Sequence, residues 1–278
     1  MRRCPHGSAA SADSGRRLRR HCLFDLPVDA INPGATASGW TPTDAATLEY
    51  DVAEPPAVVI RRSWTRPDAD TRAAFRDTPS GFVVDALGRA GALDHRIRAV
   101  WDGGPFVGAA LPVWTTPRDN LAPYAALKVA QPGDVVLVAT GEADGFSVLG
   151  DLIIGMMRNA GVIAVVTDGL VRDVAGIRDV GIPVYACGVS PNSPFKNGPG
   201  GVGVPITIGG VVVAAGDLVV GDADGVVVVP SGRIDEARRE LATVRSKEAE
   251  MDAAVRGGLK LPGWLDSALT TKPVRWID

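Results

Sequence analysis

Three short apolar runs constrain this chain more than any other feature: VVLVAT (135–140), VIAVVTDG (162–169) and IPVYACG (182–188). Each is rich in β-branched residues and too short for a helix, so each reads as a buried strand. Between the first two, in GFSVLGDLIIGMMRNAGV, Leu152, Ile153, Met156 and Met157 recur at helical spacing and Gly161 closes the run. The methionine pair reads as core packing. Between the second and third lies a further helix, RDVAGIRDVG. Strand, helix, strand, helix, strand with such connections predicts parallel pairing through right-handed crossovers.

The flanks have a different texture. DTRAAFRDTPSGFVVDALGRAG (70–91) predicts two helical pieces broken at Pro79, with Ser80 as N-cap. GPFVGAALPVWTT (104–116) reads as strand, and DNLAPYAALKVAQPGD (119–134) as a short helix closed by Pro132 and Gly133. After Gly198 the pattern is all-β, with Gly-Gly, Gly-Asp and Asp-Gly turns between Val/Ile runs. Val226 to Val229 form an unbroken apolar run, which predicts burial on both faces, and GDADG before it reads as a hairpin turn. A long helix follows, capped by Ser231, with Asp235 and Glu236 in its first turn and Gly257-Gly258 at its end. Its apolar stripe is Ile234, Ala237, Leu241, Val244, Met251 and Val255; the rest is charged, so one face docks and the other meets water or another subunit. Residues 1–55 carry no sustained period and read as a tail; 56–278 read as the folded domain, C-terminal oligomerisation helix included.

Composition removes several function classes. The net charge of -3 gives no electrostatic reason to expect nucleic acid. The three cysteines, Cys4, Cys22 and Cys187, have no CxxC spacing, so neither a disulfide framework nor a zinc knuckle is expected, and a cytoplasmic location fits. The histidines are His6, His21 and His95, two of them in the tail, which disfavours a His-rich metal site or a Ser-His-Asp triad. No stretch reaches the ~18 apolar residues of a membrane helix. The arginine-rich start lacks the apolar segment of a secretory signal, while an organelle transit peptide stays open.

The chemistry concentrates in SVLGDL (147–152) and DGLVRD (168–173), each where a strand or loop feeds a helix. Parallel α/β folds bind ligands at that end. Free N–H groups near Gly150 suit an anion, and with no GK[ST] following, a carboxylate fits better than a triphosphate. Asp151 and Asp173, on neighbouring loops and with few nitrogen or sulfur ligands at hand, suit a hard cation such as Mg²⁺ or Mn²⁺. On a helix, Arg172 and Asp173 would project about 100° apart, one toward substrate and one toward metal. Spacing alone leaves the alternative of ordinary first-turn charge open. Gly198 to Gly203 lack a dinucleotide fingerprint, Asp119-Asn120 reads as a turn and cap, and nothing near Lys128 or Lys196 would lower an amine pKa for Schiff-base work. Trp264 and Trp276 read as sealing a subunit contact.

LGDLIIGMMRNAGVIAVVTDGLVRDVAGIRDVGIPVYA followed by GGVVVAAGDLVVGDADGVVVVP resembles the RraA-like family, which contains divalent-metal 4-hydroxy-4-methyl-2-oxoglutarate / 4-carboxy-4-hydroxy-2-oxoadipate aldolases and RraA regulators of ribonuclease E. The resemblance spans residues 58–265. It implies an α/β fold, a three-layer β/β/α swivelling-type domain assembled as homotrimers or homohexamers. It further implies that Arg172 binds the pyruvate part of a 2-oxo acid, Asp173 ligates Mg²⁺ or Mn²⁺ and Asp151 holds a metal-bound water. The amides of Gly150, Asp151 and Leu152 would receive the substrate carboxylate, and Glu248 (or Glu250) of a neighbouring subunit would approach the site. The expected activity is cleavage of a 4-hydroxy-2-oxo di- or tricarboxylic acid to pyruvate and a carbonyl product, with oxaloacetate decarboxylation beside it. The alternative is a non-catalytic regulator of an RNA-processing enzyme acting through protein contacts. One departure stands out: the acidic residue that the aldolase pattern has three positions after the aspartate is Gly176 here.

Overall fold

The computed structural model describes residues 56–101, 103–141 and 144–278, so the expected tail lies outside the described residues. In chain order the elements are β1 (Val58–Ile60), α1 (Ala69–Ala74), α2 (Ser80–Ala86), β2 (Arg98–Trp101), β3 (Phe106–Thr115), α3 (Leu121–Ala126), β4 (Asp134–Ala139) and β5 (Ser147–Leu149). Then come α4 (Asp151–Asn159), β6 (Ala164–Thr167), β7 (Leu170–Val171), α5 (Val174–Val180), β8 (Val184–Ala186), β9 (Gly188–Val189) and β10 (Gly200–Val202). The chain closes with β11 (Ile206–Ile208), β12 (Val211–Val213), β13 (Leu218–Asp222), β14 (Gly225–Val229), α6 (Ile234–Arg256) and α7 (Leu265–Thr271).

The three apolar runs supply β4, β6 and β8, which pair in parallel inside a nine-stranded sheet ordered β1-β10-β3-β4-β6-β8-β2, with β13 along β3 and β14 on β13. These strands need no polar alternation because both faces are covered. Val136, Val138 and Val165 pack with Ile153, Ile154, Met157 and Ile177 of α4 and α5. Val135, Leu137 and Val166 face the opposite way, onto Ile206, Ile208, Val213 and Val228 of the later strands. Helices on one side and strands on the other give the expected three-layer β/β/α arrangement. β14 is also buried twice over: Val226 and Val228 join the inter-sheet core, while Val227 and Val229 pack on Val83, Leu87, Ala237 and Leu241 beneath α2 and α6.

Several local expectations give way to tertiary contacts. Ser80 is not an N-cap; Pro79 holds that position, and Ser80 N and Oγ both donate to the Asp222 carboxylate at 2.7 Å. The GDADG hairpin, closed at Asp222 and Gly225, therefore caps α2 from outside. Ser231 does not cap α6 either. It lies in a 3-10 turn ahead of it and donates its N–H to Asp217 Oδ1 at 2.8 Å. Leu152 and Met156 are exposed, because the inward face of α4 is Ile153, Ile154 and Met157. α6 buries only Ala237 and Leu241, and Met251 and Val255 lie open, so the stripe docks through its first turns only. No described helix is long and apolar enough to cross a membrane.

Candidate active site

Past β4, β6 and β8 the chain makes a short break and resumes in a second, three-stranded parallel sheet, β5-β7-β9. Asp168 stitches one break, accepting from Thr140 N at 2.7 Å and Thr140 Oγ1 at 3.1 Å. Burial pushes its carboxyl above the usual range, and those hydrogen bonds pull against the shift.

The candidate site forms at the carboxyl ends of the small sheet, where α/β folds present ligands. β5 delivers Gly150 and the start of α4, β7 delivers Arg172 and Asp173, and β9 delivers the loop 190–197. Gly150 caps α4 with no side chain of its own; the first bond back to its carbonyl comes from Ile154 N at 3.2 Å. The amides of Asp151, Leu152 and Ile153 thus precede the helical ladder. Leu152 N donates to Asp151 Oδ1 at 2.7 Å, so a bound carboxylate would take over from that contact.

Arg172 and Asp173 do not lie on a helix, as the 100° estimate assumed. Asp173 is the N-cap of α5 in the left-handed region, φ 61°, a conformation that is strained for a residue with a Cβ. That turn folds the pair together: Arg172 Nε lies 3.1 Å from Asp173 Oδ2, and Arg172 Nη1 donates to Ser193 Oγ. A half-exposed ion pair adds little stability, so strain held for its sake points to function. Gly150 makes room for it, since a Cβ there would lie 2.8 Å from Asp173 Oδ2.

The pair opens on a cleft of about 120 Å³ lined also by Asp151, Asn120, Tyr124 and Lys196. Asn120, expected to be part of a turn and cap, is only 5% exposed, and its Oδ1 has no partner. Asp119 does the capping, accepting from Leu121 N at 2.9 Å and freeing its neighbour. An unpaired buried acceptor costs ~1–3 kcal/mol unless water or a ligand serves it. Lys196, dismissed as an amine nucleophile, enters the cleft 5.7 Å from the Tyr124 ring. Its loop is tied by Phe195 N to Arg118 O at 2.7 Å and Ser147 N to Asn192 O at 3.1 Å, contacts that no sequence spacing announces.

Glu248 and Glu250 lie on exposed α6; Glu248 borders a separate cavity with Asp85, Arg89 and Lys247 and does not line the Arg172 cleft. Gly176 lies against Asp151: a Cβ there would fall 2.7 Å from Asp151 Cβ and 2.8 Å from its Cγ. An acidic side chain at 176 has no room while Asp151 keeps this position. Among the described residues no three or more His, Cys, Asp or Glu side chains form a metal cluster. The donors in the cleft, the Asp151 and Asp173 carboxylates, fit a hard cation that keeps several waters and do not fit zinc. A larger cavity of about 870 Å³, around Asp94, Arg96, Asp168 and Cys187, offers less: Asp94 binds Arg96 at 2.8 Å and Asp168 serves Thr140.

Fold and cleft together define a β/β/α protein with a cleft at the ends of parallel strands lined by Arg172, Asp173 and Asp151. The chain belongs to the RraA-like family, whose model, described as Aldolase/RraA, matches residues 80–228. A protein of Halalkalibacterium halodurans named "Putative 4-hydroxy-4-methyl-2-oxoglutarate aldolase" is 34% identical over 183 residues, 66% of this chain and 85% of that protein. Streptomyces coelicolor RraAS2, described as an unusual member of the RNase ES inhibitor RraA protein family, matches with a TM-score of 0.61 and 29% identity, over 69% of this chain and 99% of that one. The RNA-processing inhibitor RraA from Thermus thermophilis matches at 0.52 and 26%, over 55% and 93%.

Proposed function

We propose that this protein is a divalent-metal-dependent, class II-type pyruvate aldolase, a carbon–carbon lyase that cleaves a 4-hydroxy-2-oxo acid to pyruvate and a carbonyl product. The observation that carries the reading is the convergence of Arg172, Asp173, Asp151 and the α4 amides on one cleft. The aldolase named above supports the substrate class. Asp173 and Asp151 would hold Mg²⁺ or Mn²⁺, which when bound polarises the 2-oxo group. The substrate carboxylate rests on the amides at the start of α4. Arg172 turns its fork to the 2-oxo oxygen, where negative charge grows as the 4-hydroxyl passes its proton through water held by Asp151 to that carboxylate and the C3–C4 bond breaks. The products of that step are the carbonyl compound and pyruvate enolate, which takes a proton at C3 from water held by Asp151. Asn120, Tyr124 and Lys196 line the same cleft beside the substrate. Oxaloacetate gives the same enolate by losing CO₂, so its decarboxylation accompanies aldol cleavage.

The assembly is a homotrimer or homohexamer, in which Glu248 of one chain faces Arg172 and Asp173 of the next. Exposed Met251, Val255, Leu261, Trp264, Trp276 and Ile277 on the C-terminal arm support a protein contact there. The deciding experiment is pyruvate release from 4-hydroxy-4-methyl-2-oxoglutarate and from oxaloacetate, with EDTA and then with Mg²⁺ or Mn²⁺ restored. Full activity in chelator with no metal bound removes the metal role. No activity on any 4-hydroxy-2-oxo acid in a panel favours the second reading, a regulator of RNA processing, which the names of the two RraA relatives support.

A further inference from the structure

α4 and α5 are locked together by two reciprocal glycine contacts. Gly150, at the start of α4, meets the α5 side: a Cβ on it would lie 2.8 Å from Asp173 Oδ2 and 3.3 Å from Arg172 Nε. Gly176, inside α5, meets the α4 side, with Asp151 Cβ at 2.7 Å from the place of its own missing Cβ. Further along the same pair the fit relaxes, and a Cβ on Gly155 would find only Val180 Cγ2, at an ordinary 3.7 Å. The helices are therefore tightest at the ends that carry the site.

Gly176 has no positive φ to explain it, and glycine inside a helix is less stable than alanine. Close approach is what the missing side chain permits. The atoms it admits are Asp151 Oδ2, Cβ and Cγ; the carboxylate can swing away, but the Cβ, 2.7 Å from that place, is fixed to the backbone and cannot escape by changing rotamer. Any side chain at 176 must push the start of α4 away from α5, and with it Asp151 away from Asp173 and Arg172.

We propose that Gly176 is a positioning residue, setting the separation of Asp151 from Asp173 and so the affinity of the cleft for a divalent cation. This inference rests on the metal-site reading above.

The test is a Mn²⁺ titration of the full chain, following free Mn²⁺ by electron paramagnetic resonance, with melting curves alongside. Gly176→Ala should weaken Mn²⁺ binding by about tenfold or more, the scale of losing a group that orients a ligand. Gly155→Ala, in the same helix pair but away from the site, should leave binding unchanged, which separates positioning from general loosening. The exchange Asp151→Gly with Gly176→Asp puts a carboxylate into the same space from the other helix. It should bind Mn²⁺ more tightly than Asp151→Gly alone. It decides the matter if Gly176→Ala fails to fold. No Mn²⁺ binding by the unaltered chain overturns the metal reading, and this inference with it. Binding by the unaltered chain with equal affinity in a folded Gly176→Ala, or an exchange no better than Asp151→Gly, overturns this inference alone.

Discussion

Arg66→Met should be strongly destabilising although it lies outside the cleft. Asp134, the first residue of β4, has a fully buried carboxylate. Arg66 meets it in fork geometry, Nε to Oδ1 at 2.7 Å and Nη2 to Oδ2 at 2.9 Å, and Nη2 also reaches Val129 O at 3.1 Å. Without the guanidinium, Asp134 keeps one donor, Gln131 N at 2.9 Å. Breaking a buried pair costs ~3–5 kcal/mol because one charge is left uncompensated. Arg66 is slightly exposed and methionine still covers Trp64, so the low end, about 3 kcal/mol, applies. At about 2–4 °C per kcal/mol for a domain of this size, the melting midpoint should fall by about 6–12 °C. Arg66→Met with Asp134→Asn should regain at least half of that, since the amide oxygen still serves Gln131 and no charge is stranded. Differential scanning fluorimetry of the three proteins is the assay. Arg66 and Asp134 do not line the Arg172 cleft, so activity per folded molecule should hold. A single variant melting within about 1 °C of the parent would mean that the pair is neutral and that the ~3 kcal/mol assignment fails.

Arg172→Ala should lower kcat for pyruvate release by roughly 10²–10³, the scale of a lost oxyanion donor, and Arg172→Lys should recover little, because an ammonium cannot reach Asp173, Ser193 and substrate as the fork does. Steady-state kinetics with a parental melting curve checks it. Asp168 has its folded-state carboxyl raised above 3.8, so the native state holds that proton more firmly than the unfolded one. Stability from this group is therefore lost as pH rises from 3.8 through the raised value, and urea melts of Asp168→Asn should show a flatter slope in that window. Deleting residues 246–278 should abolish assembly and activity together while leaving much of the 58–230 core foldable, and mixing Glu248→Ala with Arg172→Ala chains should restore some activity. Light scattering and pyruvate assays decide both, and a fully active monomer removes the shared site.

The fold was legible because burial writes itself into composition. β4, β6 and β8 are covered on both faces, so each had to be an apolar run, and α4 and α5 had to supply an apolar stripe between them. The cleft was legible only in its local half. Gly150, Asp151, Arg172 and Asp173 stand at element ends, where a strand hands over to a helix, and that punctuation is visible in a sequence. Asn120, Ser193 and Lys196 reach the cleft through the long β3 strand and the loop after β9, and their contacts span separations that no local pattern encodes. Even so, Asp119-Asn120 contained a clue. A helix start offers limited work for two adjacent capping side chains; once Asp119 caps Leu121 N and also accepts from Asn197 N, the side-chain oxygen of Asn120 is left without a partner. A buried polar side chain without a partner is costly unless something binds it. The misread positions follow the same logic in reverse. Ser80 and Ser231 look like caps in isolation, but Asp222 and Asp217, distant in sequence, take over the N–H groups. Local capping signals fix where helices begin to within a turn; long-range carboxylates decide who caps them, and the residues left over are where a site can form.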